Sequence, residues 1–170
     1  ARKEALSIIY SGNISAIFSE KGTLYAIDDN RMLEWKPQKG SMAYIRTLPF
    51  RNISHYHTDR LGRVWIAADE GLFCAESGSD YKKIGPDSMI YSIFEDSDGK
   101  IWIGSREEGL TCIGADGAVR KYNTSNSYAK GLHSNDVRQI TEDRDGNIWF
   151  GTFNGLYCYN ASSDTFTSFL

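Results

Sequence analysis

A single pattern recurs four times along this chain. Three copies contain an apolar pair three residues apart, an Asp-x-x-Gly segment, an apolar stretch centred on an aromatic residue, and a Gly-Leu pair, and a weaker first copy keeps the apolar pair, the turn glycine and the apolar stretch. The aromatic residues that anchor the four copies are Tyr25, Trp65, Trp102 and Trp149. A period of roughly 40 residues with several short apolar segments is typical of stacked blades or solenoid units. The repeated residues are therefore expected to form a scaffold, and function is sought in the residues that differ between copies.

Each copy predicts four antiparallel strands, here called a to d in chain order. In the third copy these strands are expected at 90–94, 100–104, 110–113 and 119–122. The Asp-x-x-Gly segment between strands a and b suits a type I turn followed by a left-handed glycine. No segment has sustained helical periodicity.

Strand b distinguishes between two all-β architectures. Val64, Trp65 and Ile66 are consecutive apolar residues, so both faces of this strand are expected to be buried. A sandwich leaves one face of each sheet in water, whereas blades around an axis bury both faces of their inner strands. The sequence therefore predicts an all-β fold of four four-stranded antiparallel propeller blades, forming part of a larger propeller.

The expected blades are residues 12–48, 49–85, 86–122 and 133–170, with 5–10 as a strand from a preceding blade. Trp65, Trp102 and Trp149 are expected to be buried between adjacent blades. The end faces of such an array need a partner, because large exposed apolar faces mark interaction surfaces. We expect either a closed four-bladed ring or, preferably, pairing with a second copy or packing on further blades.

Composition argues against several functional classes. Apolar residues make up 41% of the chain, and the formal net charge is −3 without any basic run. Nothing therefore indicates binding to nucleic acid or to an anionic membrane surface. The apolar stretches are too short to span a bilayer, and the first residues do not have the pattern of a signal peptide.

The three cysteines occupy one repeat position, two residues after each Gly-Leu pair. Cys74, Cys112 and Cys158 are therefore expected on equivalent strands of different blades. Such positions are too far apart for a disulfide, whose geometry is specific. We expect three reduced thiols that act as small apolar side chains.

Two groups of residues resemble sites but have simpler interpretations. Glu95-Asp96 and Glu142-Asp143 recur at one repeat position, so turn formation is favoured over acid–base catalysis. His55 and His57 lie two apart and share one face of a strand, but no third metal ligand has a suitable spacing. We predict no catalytic residue, no metal and no cofactor.

Residues that differ between copies are better candidates for ligand binding. They lie in the connections between strands b and c and in one long connection between strands d and a. The candidates are Arg31, Asp69, Glu70, Arg106, Glu107, Phe153, Asn154 and Tyr128. Charged groups and aromatic rings suit a sugar or an acidic sugar. The alternative is a solvated loop rim.

The fourth copy resembles a known family. Residues 131–156 contain Gly-Leu-x-Ser-Asn-x-Val, then Glu-Asp-x-x-Gly-x-Ile-Trp-Phe-Gly-Thr and finally Gly-Leu, which resembles the two-component regulator propeller repeat. The third copy is similar, the second less so, and the first departs most, with Arg31 in place of the glycine. The resemblance implies the periplasmic sensor region of a bacterial, Bacteroides-type hybrid histidine kinase that senses oligosaccharides through seven-bladed propellers.

We therefore expect a non-catalytic, extracytoplasmic sensor propeller of a two-component signalling protein, with an oligosaccharide-like ligand. The intact protein is expected to carry a histidine kinase. One alternative is a propeller scaffold for protein interaction. Another is a propeller glycosidase or lyase, which is disfavoured because no catalytic residue types stand at unique positions.

Overall fold

The computed structural model describes residues 10–76, 78–85, 88–125 and 131–169. These residues form sixteen strands in four four-stranded antiparallel sheets, each following chain order. Blade 1 contains β1 (Ile14–Glu20), β2 (Thr23–Asp28), β3 (Arg31–Lys36) and β4 (Ser41–Thr47). Blade 2 contains β5 (His55–Thr58), β6 (Val64–Ala68), β7 (Gly71–Ala75) and β8 (Lys82–Lys83). Blade 3 contains β9 (Ile90–Glu95), β10 (Ile101–Ser105), β11 (Leu110–Ile113) and β12 (Val119–Tyr122). Blade 4 contains β13 (Val137–Glu142), β14 (Ile148–Thr152), β15 (Gly155–Asn160) and β16 (Thr165–Phe169).

The predicted all-β fold with four four-stranded blades is confirmed. The described residues contain no helix that is long and apolar enough to cross a membrane.

Successive blades lie side by side through their first strands. Strand β1 contacts β5, β5 contacts β9, and β9 contacts β13. Within the described ranges, no comparable strand contact joins blade 4 to blade 1. One chain therefore forms an arc of four blades around a common axis, and the closed four-bladed ring is not observed.

The Asp-x-x-Gly turn carries the repeated scaffold interaction. The turn carboxylate accepts the indole N–H of strand b in three blades, at 2.8 Å from Asp59 to Trp65 and 2.7 Å from Asp96 to Trp102. The third such bond joins Asp143 to Trp149 at 2.7 Å. The other oxygen of each carboxylate accepts backbone N–H groups of the turn. Each aspartate thus fixes the turn and the tryptophan together, which accounts for its repetition without catalysis.

The glutamate that precedes this aspartate joins neighbouring blades. Glu95 accepts the backbone N–H of Arg60 at 3.0 Å, from the turn of the preceding blade. Glu142 accepts both the backbone N–H of Ser97, at 2.8 Å, and its hydroxyl. The Glu-Asp pair is therefore a structural unit in which one carboxylate holds its own blade and the other holds the blade before it.

The tryptophan of each strand b faces the following blade. Trp65 and Trp102 are each 1% exposed, packed against blade 3 and blade 4 respectively. Trp149 stacks on Phe169 with ring centroids 5.6 Å apart, and it is only partly buried. The prediction of a buried tryptophan is therefore wrong for Trp149, because no described blade covers its face.

The cysteines lie opposite these tryptophans. Cys74, Cys112 and Cys158 are free and pair in register with Trp65, Trp102 and Trp149 on the adjacent strand. Burial raises the pKa of the Cys74 thiol to about 11 and that of Cys112 to about 12. The thiols are therefore protonated at neutral pH, as expected for small core side chains.

Candidate ligand-binding site

The b–c turns and the d–a connections lie at the same end of the blades, here called the loop face. In blades 2 to 4 a backbone N–H of the b–c turn donates to a carbonyl of the d–a connection. These bonds join Asp69 to Arg51 at 3.4 Å, Arg106 to Met89 at 2.9 Å, and Phe153 to Asp136 at 3.1 Å. Residues from two kinds of connection are thereby held in one surface, while the a–b turns form the opposite end, the turn face.

A guanidinium group lies between two aromatic rings on the loop face. The central guanidinium carbon of Arg138 is 5.6 Å from the ring centroid of Tyr91 and 5.4 Å from that of Phe153. Asp136 accepts two hydrogen bonds from the same guanidinium, at 2.9 and 3.2 Å. This fixes the orientation of Arg138 and offsets its charge. Phe153 is 73% exposed, so much of its surface is open to solvent.

Tyr91 also lines a cavity of about 460 Å³. Its lining comes from blades 1, 2 and 3 and consists of Ser15, Asn52, Ser54, His55, Ala68, Asp69, Met89, Ile90 and Tyr91. The side-chain amide of Asn52 donates to the carboxylate of Asp69 at 2.5 Å. We call the cavity and the adjoining aromatic cluster the Tyr91 site, defined by Asn52, His55, Asp69, Tyr91, Asp136, Arg138 and Phe153.

The cavity has a mixed lining of polar and apolar side chains and carries little charge. Burial lowers the pKa of His55, so its imidazole is neutral at pH 7. Its Nδ1 lies 3.2 Å from the hydroxyl of Ser54. Asp69 is the one acidic residue among the lining residues. Such a surface offers hydrogen-bond acceptors and donors to a polyol, and aromatic rings for stacking.

The structure brings two of the predicted site residues into the Tyr91 site, Asp69 and Phe153. Four others, Glu70, Arg106, Glu107 and Asn154, are exposed residues of the b–c connections on the loop face. Arg31 lies on blade 1, with its guanidinium 3.7 Å from the carboxylate of Asp28 and over the ring of Tyr44. Tyr128 lies outside the described residues.

Sequence reasoning missed Tyr91 and Arg138, because it sought variation in the connections alone. Both occupy the position after the first apolar residue of strand a, where the other two copies have serine. The first strands of successive blades contact one another, so variation at this position alters the surface where neighbouring blades meet. A comparison of the four copies at that position could have identified the two residues.

The two histidines of strand β5 do not form a metal site. His55 lines the cavity, whereas Nε2 of His57 lies 3.5 Å from the carboxylate of Glu95, towards the turn face. Among the residues that the structure describes, no group of three or more His, Cys, Asp or Glu side chains is arranged to hold a metal ion.

The family model of the two component regulator propeller matches residues 84–107 and 131–154. These two segments, 48 of the 170 residues, therefore match the two-component regulator propeller repeat. The resemblance noted in the sequence is thereby confirmed. The matched repeats contain Tyr91 in the first segment, and Asp136, Arg138 and Phe153 in the second. The aromatic cluster of the Tyr91 site is thus built by two such repeats.

Solved structures share the fold. One is the extracellular domain of a B. thetaiotaomicron protein described as a hybrid two component system. Its TM-score is 0.73 with 22% identity, covering 95% of this chain and 23% of that chain. A streptogramin B lyase has a TM-score of 0.67 and 20% identity, covering 96% of this chain and 56% of that chain. A virginiamycin B lyase from Staphylococcus aureus has a TM-score of 0.67 and 22% identity, covering 92% and 55% respectively.

The chain spans less than two thirds of the length of each of these structures. A search of curated protein sequences gave no match. At these identities the likeness to solved structures concerns the fold alone.

Proposed function

We propose that this chain is a non-catalytic, extracytoplasmic sensor propeller of a two-component signalling protein, and that it binds an oligosaccharide at the Tyr91 site. One observation carries the proposal. Two aromatic rings, Tyr91 and Phe153, flank a fixed guanidinium beside a cavity of mixed polar and apolar lining, and all of these groups lie on the face where the copies differ.

This chemistry suits a neutral or weakly acidic sugar. The open surface of Phe153 and the ring of Tyr91 offer apolar platforms for the faces of sugar rings. Asp69 and Asn52 offer a carboxylate and an amide to sugar hydroxyls. Because Asp136 already offsets the charge of Arg138, the site does not demand an anionic ligand. A cavity of about 460 Å³ falls within the usual range for small-molecule sites.

The repeat family supports the sensory role. Segments that match the two-component regulator propeller repeat supply four of the seven residues of the Tyr91 site, and the similar folds include an extracellular domain from a two-component system. On this proposal the intact protein carries a histidine kinase, and ligand binding on the loop face alters its activity. The extracytoplasmic location belongs to the same proposal.

The lyase alternative has less support in the site. Acid–base catalysis requires a base within reach of a substrate proton, oriented by a further group. Among the described residues, His55 bonds to the hydroxyl of Ser54 and has no carboxylate within ion-pair distance. The repeated carboxylates are engaged in turns and blade contacts.

Binding to a panel of oligosaccharides tests the proposal. We expect at least one neutral or uronate-containing oligosaccharide to bind in isothermal titration calorimetry. Phe153→Ala is expected to weaken that binding by about tenfold or more, because loss of a stacking platform removes roughly 1.4 kcal/mol or more. The same titrations should show no chemical turnover of the ligand by mass spectrometry.

A matched control is Leu61→Ala. Leu61 is 65% exposed and lies in an a–b turn on the turn face, so its truncation leaves the loop face intact. Equal loss of binding in the two variants would contradict the assignment of the site. Absence of binding across the panel, together with capture of a folded protein ligand, would favour the interaction-scaffold alternative.

A further inference from the structure

The two inner junctions of the blade array differ in the side chains that surround the repeated tryptophan. Between blades 3 and 4, the rings of Tyr122 and Tyr159 lie beside Trp102, with centroids 6.4 and 5.1 Å away. Both phenol hydroxyls also donate to the carboxylate of Asp164 at 2.8 Å. Both tyrosines are buried, so two aromatic rings with satisfied oxygens close this junction.

Between blades 2 and 3 the equivalent positions hold smaller side chains. The strand register places Ile84 where blade 3 has Tyr122, and Ile113 where blade 4 has Tyr159. Gly117 stands in the place of the aspartate that binds the two hydroxyls. This junction therefore lacks both phenol rings and their carboxylate partner, and Ile84 is 45% exposed.

A cavity of about 330 Å³ lies at this position, with walls from blades 2 and 3. Its apolar lining includes Trp65, Ile84, Ile113 and Val119, and its described charged residues are two acidic and two basic side chains. The corresponding cavity between blades 3 and 4 is smaller, about 280 Å³, and the two tyrosine rings line it. We call the larger one the Arg63 cavity, and its volume falls within the usual range for small-molecule sites.

One hydrogen-bond donor of the Arg63 cavity is unsatisfied. The guanidinium of Arg63 donates through Nε to Asp59 at 2.6 Å, and its central carbon lies 5.2 Å from the ring centroid of Trp65. These contacts hold the group in place. Its Nη2 is buried and has no hydrogen-bond partner among the residues that the structure describes. Because a buried polar group without a partner is costly, this donor favours a ligand that supplies an acceptor.

We propose that the Arg63 cavity binds a small aromatic molecule that carries an oxygen acceptor, such as a phenol. The ring packs on the apolar lining beside Trp65, as the tyrosine rings do beside Trp102, and the oxygen accepts a hydrogen bond from Nη2 of Arg63. Asp59 already offsets the guanidinium charge, so a neutral oxygen is sufficient. The Arg63 cavity shares no residue with the Tyr91 site, and its ligand is independent of the sugar proposed there.

Binding of 4-methylphenol, which has the ring, methyl group and hydroxyl of a tyrosine side chain, provides the test. In ¹H–¹⁵N correlation spectra we expect saturable shifts of the Trp65 indole and of the amides of Cys74, Ile113 and Val119. The dissociation constant is expected to be on the order of 1 mM or below. Toluene lacks only the oxygen and is expected to bind about tenfold more weakly, the factor that one hydrogen bond to a charged donor contributes.

Two variants and one control make the test specific to this cavity. Arg63→Lys removes Nη2 but keeps a cation at this position, as Lys100 does in blade 3, and is expected to remove the preference for 4-methylphenol over toluene. Ile84→Tyr supplies the ring that Tyr122 supplies in blade 3. It is expected to weaken binding by about tenfold or more, because the new ring occupies the ligand's space. Leu61→Ala truncates an exposed side chain outside the cavity and is expected to leave binding unchanged.

Four results would overturn the proposal: no saturable shift up to the solubility limit of 4-methylphenol, shifts confined to residues outside the cavity, equal affinity for toluene, or binding unchanged in both variants. Tighter binding of N-acetyltyrosinamide than of 4-methylphenol would also overturn it, because the occupant would then be a side chain of a partner protein. Far-UV circular dichroism verifies that each variant is folded. If Ile84→Tyr unfolds, the Arg63→Lys comparison and the location of the shifts still decide the outcome.

Discussion

Replacement of the repeated tryptophan in adjacent blades provides the sharpest test of the packing. Trp102 is 1% exposed and contacts the rings of Tyr122 and Tyr159, with centroids 6.4 and 5.1 Å away. Trp102→Ala removes this side chain from a closed interface, and such truncations cost about 3–5 kcal/mol. Trp149 stacks on Phe169 and is otherwise partly open, so Trp149→Ala is expected to cost about 1–2 kcal/mol, because the hydrophobic contribution follows the area removed from water.

Trp102→Phe separates the hydrogen bond from the packing. It keeps most of the apolar volume but leaves the carboxylate of Asp96, which is 3% exposed, without its indole donor. An unsatisfied buried acceptor of this kind costs about 1–3 kcal/mol. The phenylalanine variant should therefore be intermediate between wild type and Trp102→Ala.

Urea unfolding followed by far-UV circular dichroism measures these differences without depending on tryptophan fluorescence. Similar midpoints for Trp102→Ala and Trp149→Ala, with unchanged slopes, would refute the interpretation that the following blade covers Trp102 but not Trp149.

Three further outcomes are expected. The Asn147 amide and the Trp149 indole hold the pKa of Asp143 at about 2, below its ordinary value of 3.8. The ionised Asp143 carboxylate therefore contributes fully to the free energy of unfolding above that ordinary value, and this contribution is lost as pH falls towards 2. The wild-type protein should lose stability between about pH 5 and about pH 3, and Asp143→Asn should lose less. Thiol labelling with a disulfide reagent should be slow at Cys74 and Cys112 and faster at Cys158, which is partly exposed. Glu142→Ala should lower the unfolding midpoint without shifting the calorimetric ligand affinity, because it removes a blade contact on the turn face.

Most of the strands and turns could be predicted from the repeated sequence pattern. Tryptophan, aspartate and glycine recur because each has the same role in blades 2 to 4, so their spacing alone indicated the strands and turns. The role of Glu95 and Glu142 was not apparent, because their hydrogen-bond donors lie in the preceding blade, 35 and 45 residues away in sequence. Trp149 shows a second limit of the sequence pattern. Its sequence context matches that of Trp102, but its burial depends on whether a following blade covers it.

The site was only partly predictable for a similar reason. Asp69 and Phe153 were identified as variable residues in the b–c connections. Tyr91 and Arg138 lie within strands that follow the repeat, and their importance comes from being brought together across blades 3 and 4. This contact depends on how two copies of the repeat lie next to each other around the axis. The sequence pattern of one copy does not specify that arrangement.

Hydrogen–deuterium exchange with and without a binding oligosaccharide tests the proposed site most directly. The account predicts slower amide exchange on ligand addition in peptides covering 88–93, 134–140 and 150–155, which contain the aromatic cluster. The a–b turns at 59–62 and 96–99 should exchange at unchanged rates. Protection confined to those turns, or to the outer strands, would contradict binding at the Tyr91 site.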